Sequence, residues 1–242
     1  MRPGIARGLA VVAPLAGLAA VHAAPSLTAR GPLRRMLPRL AGRGAPGGVA
    51  LTFDDGPDPD GTPAVLAALA DLGWTATFFL LGSQVRRHPD VARAVVAAGH
   101  EIGVHGDQHR NHLGRTPGSV RRDLERATAT ITATTGVRPR WFRPPYGVLS
   151  AGSLRAAARL ELTPVLWTAW GRDWERTTPD RIRDRMLGGL RSGATLLLHD
   201  SDCTATPGSW VATAAALPLL AAELERRALV VRPLGAHLAP RP

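Results

Sequence analysis

Two adjacent carboxylates, Asp54 and Asp55, close the apolar run Val49-Ala50-Leu51-Thr52-Phe53. Such charges are costly to bury without partners, so their place at the end of a core strand calls for a cation or for proton transfer. Gly56-Pro57 then turns the chain sharply, which lets both carboxylates face one cavity, one binding a cation while the other remains a base. Plain loop punctuation is the rival reading of Asp-Asp-Gly-Pro. A second apolar run leads into His105-Gly106-Asp107-Gln108-His109. Two imidazoles four residues apart can converge on one ion, and neutral nitrogen ligands suit zinc and similar metals. Gly103 and Gly106 imply a loop or single turn there, and nearby His112 leaves open a merely polar, His-rich loop. Two His and one Asp leave metal positions open for water and substrate.

Further along stands Trp141-Phe142-Arg143-Pro144-Pro145-Tyr146-Gly147. Arg143 can pair with a carboxylate and hold it ionised. The prolines, Pro145 among them, fix a loop whose amides can point at an oxyanion, although an ordinary Pro-rich turn has the same look. Leu196-Leu197-Leu198-His199-Asp200 puts a His at the end of another core strand. A lone His there is a structural residue by default; beside a metal and a carboxylate base it becomes a candidate general acid.

The elements that must position these groups alternate. Strands are expected over Val49 to Phe53, Ala76 to Leu81, Glu101 to Val104, Leu162 to Trp167, Ala194 to Leu198 and Leu229 to Val231, with a short one before Arg143. Helices are expected over Pro63 to Leu72, Asp90 to Ala98 (capped by Asp90), Ser119 to Thr135 (capped by Ser119, stopped by Gly136), Ala151 to Arg159, Pro179 to Leu190 and Trp210 to Arg227. This alternation predicts an α/β fold with parallel strands, either a barrel or an open sheet, and in both the chemistry gathers at the strands' carboxyl ends.

The chain of 242 residues suits one domain, or one domain with a tail, and 45% hydrophobic against 20% charged residues excludes wholesale disorder. The single cysteine, Cys203, excludes a disulfide framework and a Cys-rich zinc module, so any metal must sit on His and carboxylates. All 30 basic residues are Arg and the formal charge is +11. That charge suits an acidic polymer or an anionic surface, but no nucleic-acid reading module accompanies it, and no nucleic-acid partner is expected. Arg2 and Arg7 precede the uncharged stretch Gly8 to Ala24, and Val21-His22-Ala23 offers a small-residue cleavage pattern, so residues 1–24 are expected to be an export signal or membrane anchor. Residues 25–47 are expected to form an Arg/Pro/Gly-rich linker, a solvated tether that can also rest on anionic lipid or wall polymer; residues 48–235 the catalytic domain; and residues 236–242 a tail.

In order, Thr-Phe-Asp-Asp-Gly-Pro, His-x-x-x-His, Arg-Pro-Pro-Tyr, Asp-Trp and Leu-Leu-His resemble the NodB-homology polysaccharide deacetylases, carbohydrate esterase family 4, from about Val49 to Leu234. The resemblance implies a distorted (β/α) barrel and metal-dependent removal of acetyl groups from N-acetylated sugars. It further implies Asp54 as catalytic base; Asp55, His105 and His109 as ligands of one divalent metal; and Arg143 as the residue orienting Asp54. Zinc is the default metal, with cobalt, manganese or nickel able to serve the same geometry. It implies also the Tyr146 amide, on the loop fixed by Pro145, as an oxyanion donor, Trp174 as a wall of the acetyl pocket, and His199 as the proton donor to the leaving amine.

Two positions depart from the family pattern. Gly106 stands where Ser or Thr is usual after the first His, which predicts a lost hydrogen bond and a looser His loop. Trp170 stands four residues before Trp174, where the family usually has the Asp that partners the catalytic His. Asp173 is expected to take over that partnership, with Asp200 as second choice; the rival reading has Asp173 merely capping its loop. Three functions follow from the whole: an exported deacetylase acting on an envelope glycan such as peptidoglycan or a chitin-like oligomer, a metal-dependent amidohydrolase of a small amide, or a non-catalytic glycan-binding relative. The complete Asp54, Asp55, His105, His109 set argues against the last.

Overall fold

The computed structural model describes residues 17, 19–29 and 31–239. The core of the expected export segment, residues 1–16 and 18, lies outside them, and among the described residues no helix is long and apolar enough to cross a membrane.

Strand β1 (Gly48–Asp54) is buried at all seven positions. A continuous apolar run suits a parallel strand covered on both faces. Around it fold β2 (Thr77–Leu80), β3 (Glu101–Val104), β4 (Trp141–Phe142), β5 (Thr163–Pro164), β6 (Ala169–Trp170), β7 (Thr195–His199) and β8 (Val230–Arg232). The helices are α1 (Gly31–Met36), α2 (Gly61–Asp71), α3 (Gly82–Arg87), α4 (Pro89–Ala97), α5 (Pro117–Thr135), α6 (Ala151–Arg159), α7 (Pro179–Leu187), α8 (Ser209–Arg226) and α9 (Leu234–His237). The sheet order is β5-β4-β3-β2-β1-β7-β6, with β8 against the start of β1, and every pairing is parallel. Helices surround the curled sheet, giving the distorted (β/α) barrel that the family resemblance implied. The core joins Phe53 and Phe78, stacked at 5.0 Å, to Val65 and Leu69 of α2, Leu124 and Ile131 of α5, and Leu217 and Leu220 of α8. Each such side chain contributes about 1.5–3 kcal/mol on burial.

The register does the positioning. Asp54 lies opposite Phe79 on one side and His199 on the other; Leu80 lies opposite Val104, and Val104 opposite Phe142. Asp55, His105 and Arg143 therefore leave the sheet at its carboxyl edge, beside His199.

Several local expectations are corrected. Pro117 opens α5 at N1, so the cap is Thr116, whose Oγ1 accepts from the Ser119 N–H at 3.3 Å; Ser119 is the donor, not the cap. Gly136 ends that helix in the left-handed conformation (φ 73°). Pro89 likewise opens α4, leaving Asp90 within the first turn, paired with Arg93. The strand expected over Leu162 to Trp167 shrinks to two residues, because the Leu166 N–H turns away to the Leu40 carbonyl at 2.7 Å. The stretch expected to be a solvated tether thus packs on the barrel at its far end: Ala41 is buried, Thr195 Oγ1 donates to Gly42 O at 2.5 Å, and Gly44 N–H donates to Gly193 O at 3.0 Å. It covers the seam between β5 and β6, which are not paired with each other among the described residues. His237, within the expected tail, is fully buried, and its carbonyl accepts from Ala45 N–H.

Candidate active site

Asp55 makes the turn that brings two consecutive carboxylates together. Its φ of 80° is left-handed, a conformation Asp tolerates better than most residues, so the alternation of the strand is broken one residue before Gly56-Pro57. Both carboxylates then reach His105: its Nε2 lies 3.3 Å from Asp55 Oδ1 and 3.8 Å from Asp54 Oδ2. His109 Nε2 lies 3.5 Å from the same Asp55 oxygen.

Asp55, His105 and His109 fit a cation. Their donor atoms lie within 4.8 Å of one another. His105 Nδ1 lies 2.8 Å from the Arg143 carbonyl, which can only accept, so Nδ1 carries the hydrogen and Nε2 presents its lone pair to Asp55. Asp55 Oδ1 is buried with no hydrogen-bond donor, while Oδ2 accepts from Thr204 Oγ1 at 2.6 Å. Lone pairs converging on one point without a hydrogen between them call for a positive charge. The field has the matching sign. Burial alone would raise the Asp55 carboxyl, but the imidazoles of His105, His109 and His199 around it hold it far below the carboxylate range. Burial opposes protonation of His105, and Asp54 and Asp55 overcome it. His109 goes down to about 4, chiefly by burial.

Asp54 is held differently. Arg143, fully buried, donates from Nη1 to Asp54 Oδ1 at 2.8 Å and to Thr52 Oγ1 at 2.8 Å, and from Nη2 to Leu166 O at 2.9 Å. Its guanidinium also lies 4.1 Å from the centre of the Phe79 ring. One Asp54 oxygen is thereby fixed, and the other faces His105.

Across a cavity of about 150 Å³ stands His199. Asp173, essentially buried, sits 3.0 Å from His199 Nδ1 through Oδ1, while Oδ2 accepts the His199 backbone N–H at 2.7 Å and Thr213 Oγ1 at 2.8 Å. Burial opposes protonation of His199, but Asp173 outweighs it and pushes the imidazole up to about 9. Asp200, the second choice, instead accepts from Thr62 Oγ1 at 2.5 Å. Trp170 takes no part in that pairing. Its indole, 43% exposed, lies tilted against Trp174 at 5.0 Å, and the Trp174 ring meets His199 edge-on at 5.4 Å. Trp174, Trp167, Leu197, Tyr146 and Gly147 line the cavity with Asp54, His109 and His199. Tyr146 is left-handed (φ 61°) in the turn Pro145–Gly147, an unfavourable conformation of the kind that collects at functional sites, and its ring contacts His109 at 4.4 Å.

The His loop is not loose. Gly106 has φ 104°, open to glycine and strained for Ser or Thr, and a Cβ there would lie 3.1 Å from Asp123 Oδ2. That oxygen instead accepts the Asp107 N–H at 2.8 Å; Asp107 pairs with Arg86 at 2.6 Å, and Gly82 and Ser83 N–H groups donate to the carbonyls of Gly106 and Asp107. The sequence-based reading missed Thr204, Thr52 and Thr213. Thr52 alone carried a signal, as a polar residue inside an otherwise apolar strand.

A curled parallel sheet with a carboxylate–histidine cluster at its carboxyl edge is a (β/α) barrel-type architecture with a candidate metal site. The chain belongs to the polysaccharide deacetylase family, whose profile matches residues 41–165. It is 37% identical over 194 residues to a chitooligosaccharide deacetylase of Bradyrhizobium sp. (strain ANU 289), covering 77% of this chain and 88% of that one. It is 33% identical over 160 residues to a peptidoglycan-N-acetylglucosamine deacetylase of Bacillus cereus, covering 66% of this chain and 56% of that one. Among solved structures it superposes with a TM-score of 0.75, at 28% identity and with 80% of this chain and 88% of that one covered, on a peptidoglycan N-acetylglucosamine deacetylase in complex with 4-naphthalen-1-yl-N-oxidanyl-benzamide.

Proposed function

We propose that the chain is an exported, metal-dependent deacetylase that hydrolyses the N-acetyl group of N-acetylglucosamine units in an envelope glycan, peptidoglycan or a chitin-like oligomer, to a free amine and acetate. One observation carries the reading: the Asp55, His105 and His109 donors converge beside an Arg143-held carboxylate, with an Asp173-held imidazole across the same cavity. The activities named for the Bradyrhizobium and Bacillus relatives support the substrate class. The basic, then apolar, N-terminus supports export.

Asp55, His105 and His109 would hold the divalent cation, and two neutral imidazoles with one carboxylate suit zinc, or cobalt, manganese or nickel. When bound there, a divalent cation would supply Lewis acidity toward the acyl oxygen and the attacking water. Asp54, one oxygen fixed by Arg143, takes the proton of the attacking water on the other. The Tyr146 N–H, on the turn set by Pro145, donates to the oxyanion as charge develops. Trp174, Trp167 and Leu197 enclose the acetyl methyl. His199, kept protonated by Asp173, gives its proton to the departing nitrogen, so that water and amide become acetate and amine.

The test is acetate release by zinc-reconstituted protein from chitooligosaccharides, peptidoglycan and small acetamides in parallel. Release from the glycans at the higher kcat/KM is expected. Preference for the small acetamides makes the enzyme an amidohydrolase of another kind, and glycan binding with no release makes it a non-catalytic relative.

A further inference from the structure

Behind the Trp167 wall of the active-site cavity lies a second cavity of about 160 Å³, lined by Arg34, Arg35, Arg43 and Arg191 together with Ala41, Trp167 and Thr168. Its four guanidinium-bearing residues come from separate pieces of chain: α1, the segment covering the barrel seam, and the turn before β7. No carboxylate lines it among the described residues. Arg35, Arg43 and Arg191 enter none of the ion pairs among the described residues. The N-terminal segment cannot supply a counter-charge either, since residues 1–53 contain seven arginines and no Asp or Glu. Arg34 is drawn 4.8 Å over the Trp167 ring and donates to the Trp167 carbonyl at 3.2 Å, and its pKa is lowered by burial and by the charge of Arg143. Among the described residues, the charges of Arg35, Arg43 and Arg191 thus meet no counter-charge.

We propose that this arginine cavity is a binding site for a phosphate-class oxyanion. Several guanidinium forks approaching from different sides match a tetrahedral, multiply charged group better than the two coplanar oxygens of a carboxylate. The source is either a soluble phosphate or the headgroup of an anionic phospholipid, against which the N-terminal segment would lay the barrel. The site is separate from the deacetylase centre, and its test uses binding, so it stands or falls independently of the activity.

Two variants with equal charge removed decide it. Arg35→Gln/Arg43→Gln/Arg191→Gln empties the cavity's exposed rim, and Arg155→Gln/Arg159→Gln/Arg181→Gln removes three exposed arginines elsewhere. Because all six side chains are exposed, both variants keep the thermal transition of the parent, which circular dichroism checks. Inorganic phosphate, titrated calorimetrically at constant ionic strength, should bind the parent and the control within twofold of each other and the cavity variant at least tenfold more weakly. Sedimentation with phosphatidylglycerol–phosphatidylcholine vesicles then identifies the source. Vesicle binding lost in the cavity variant and kept in the control assigns the headgroup. Equal vesicle binding by the two, with phosphate binding still lost from the cavity variant, assigns soluble phosphate. Two variants that behave alike in both arms overturn the proposal, leaving only the overall charge of +11 at work.

Discussion

Asp173 grips His199 twice, through the ring at 3.0 Å and through the backbone N–H at 2.7 Å. One carboxylate therefore sets both the tautomer and the position of the imidazole at the end of β7. Thr213 from α8 completes the grip from behind. The partnership does not depend on position 170, because Asp173 lies next to Trp174 and reaches His199 from there.

The pH dependence follows with a definite sign. His199 is pushed up to about 9, so a step needing its proton fails as pH rises through that value. Removing the Asp173 charge lowers the imidazole pKa, so the alkaline limb of kcat should move down by about one pH unit or more in Asp173→Asn. In His199→Ala that limb should vanish. A limb that stays in place in Asp173→Asn while vanishing in His199→Ala would separate the two residues.

The adjacent carboxylates should behave oppositely. Asp55→Ala, His105→Ala and His109→Ala each remove one of three protein donors and should lose zinc on dialysis. Asp54→Asn should retain stoichiometric zinc and lose kcat by roughly 100-fold or more, the scale of a general base. Metal content by atomic emission, beside kcat, checks both.

Arg143 is a buried charge whose removal strands Asp54. Arg143→Met should destabilise the fold by about 3–5 kcal/mol in urea denaturation, since a buried carboxylate loses its charge partner. Adding Asp54→Asn to Arg143→Met should recover part of the loss. A double variant no more stable than Arg143→Met would mean that Arg143 acts through Phe79 and the Leu166 carbonyl instead.

Thr204 should act on the metal from outside its donor set. By holding Asp55 Oδ2 at 2.6 Å it leaves Oδ1 toward the imidazoles. Thr204→Val should weaken zinc affinity about tenfold to a hundredfold in a chelator competition, and Thr204→Ser, which keeps the hydroxyl, should stay near the parent. Equal weakening in both would assign the effect to packing.

Much of this was legible before any coordinates. The apolar run of β1 reads as a buried strand because its two faces are both covered, and the groups at the carboxyl edge announce themselves by type and spacing. What stayed hidden was short or tertiary. Helix α3 opens with Gly82-Ser83-Gln84, a polar start that reads as loop, and β6 is only two residues long. The Leu40–Leu166 bond that truncates β5 spans more than a hundred residues, and Thr204 meets Asp55 across a similar distance. Contacts of that range have no periodicity to betray them. The left-handed backbone at Asp55 and Gly106 was hidden for another reason: both residue types tolerate that conformation but neither requires it.

The proposed function puts a cation on Asp55, His105 and His109 to drive removal of acetyl groups from a glycan. The most direct measurement is acetate release from N-acetylglucosamine tetramer by chelator-stripped protein titrated with zinc. Release should be absent at the start, rise linearly, and level off at one zinc per chain, with Asp54→Asn silent throughout at the same zinc content. Full release from stripped protein, or one zinc bound per chain with no acetate formed, would contradict it.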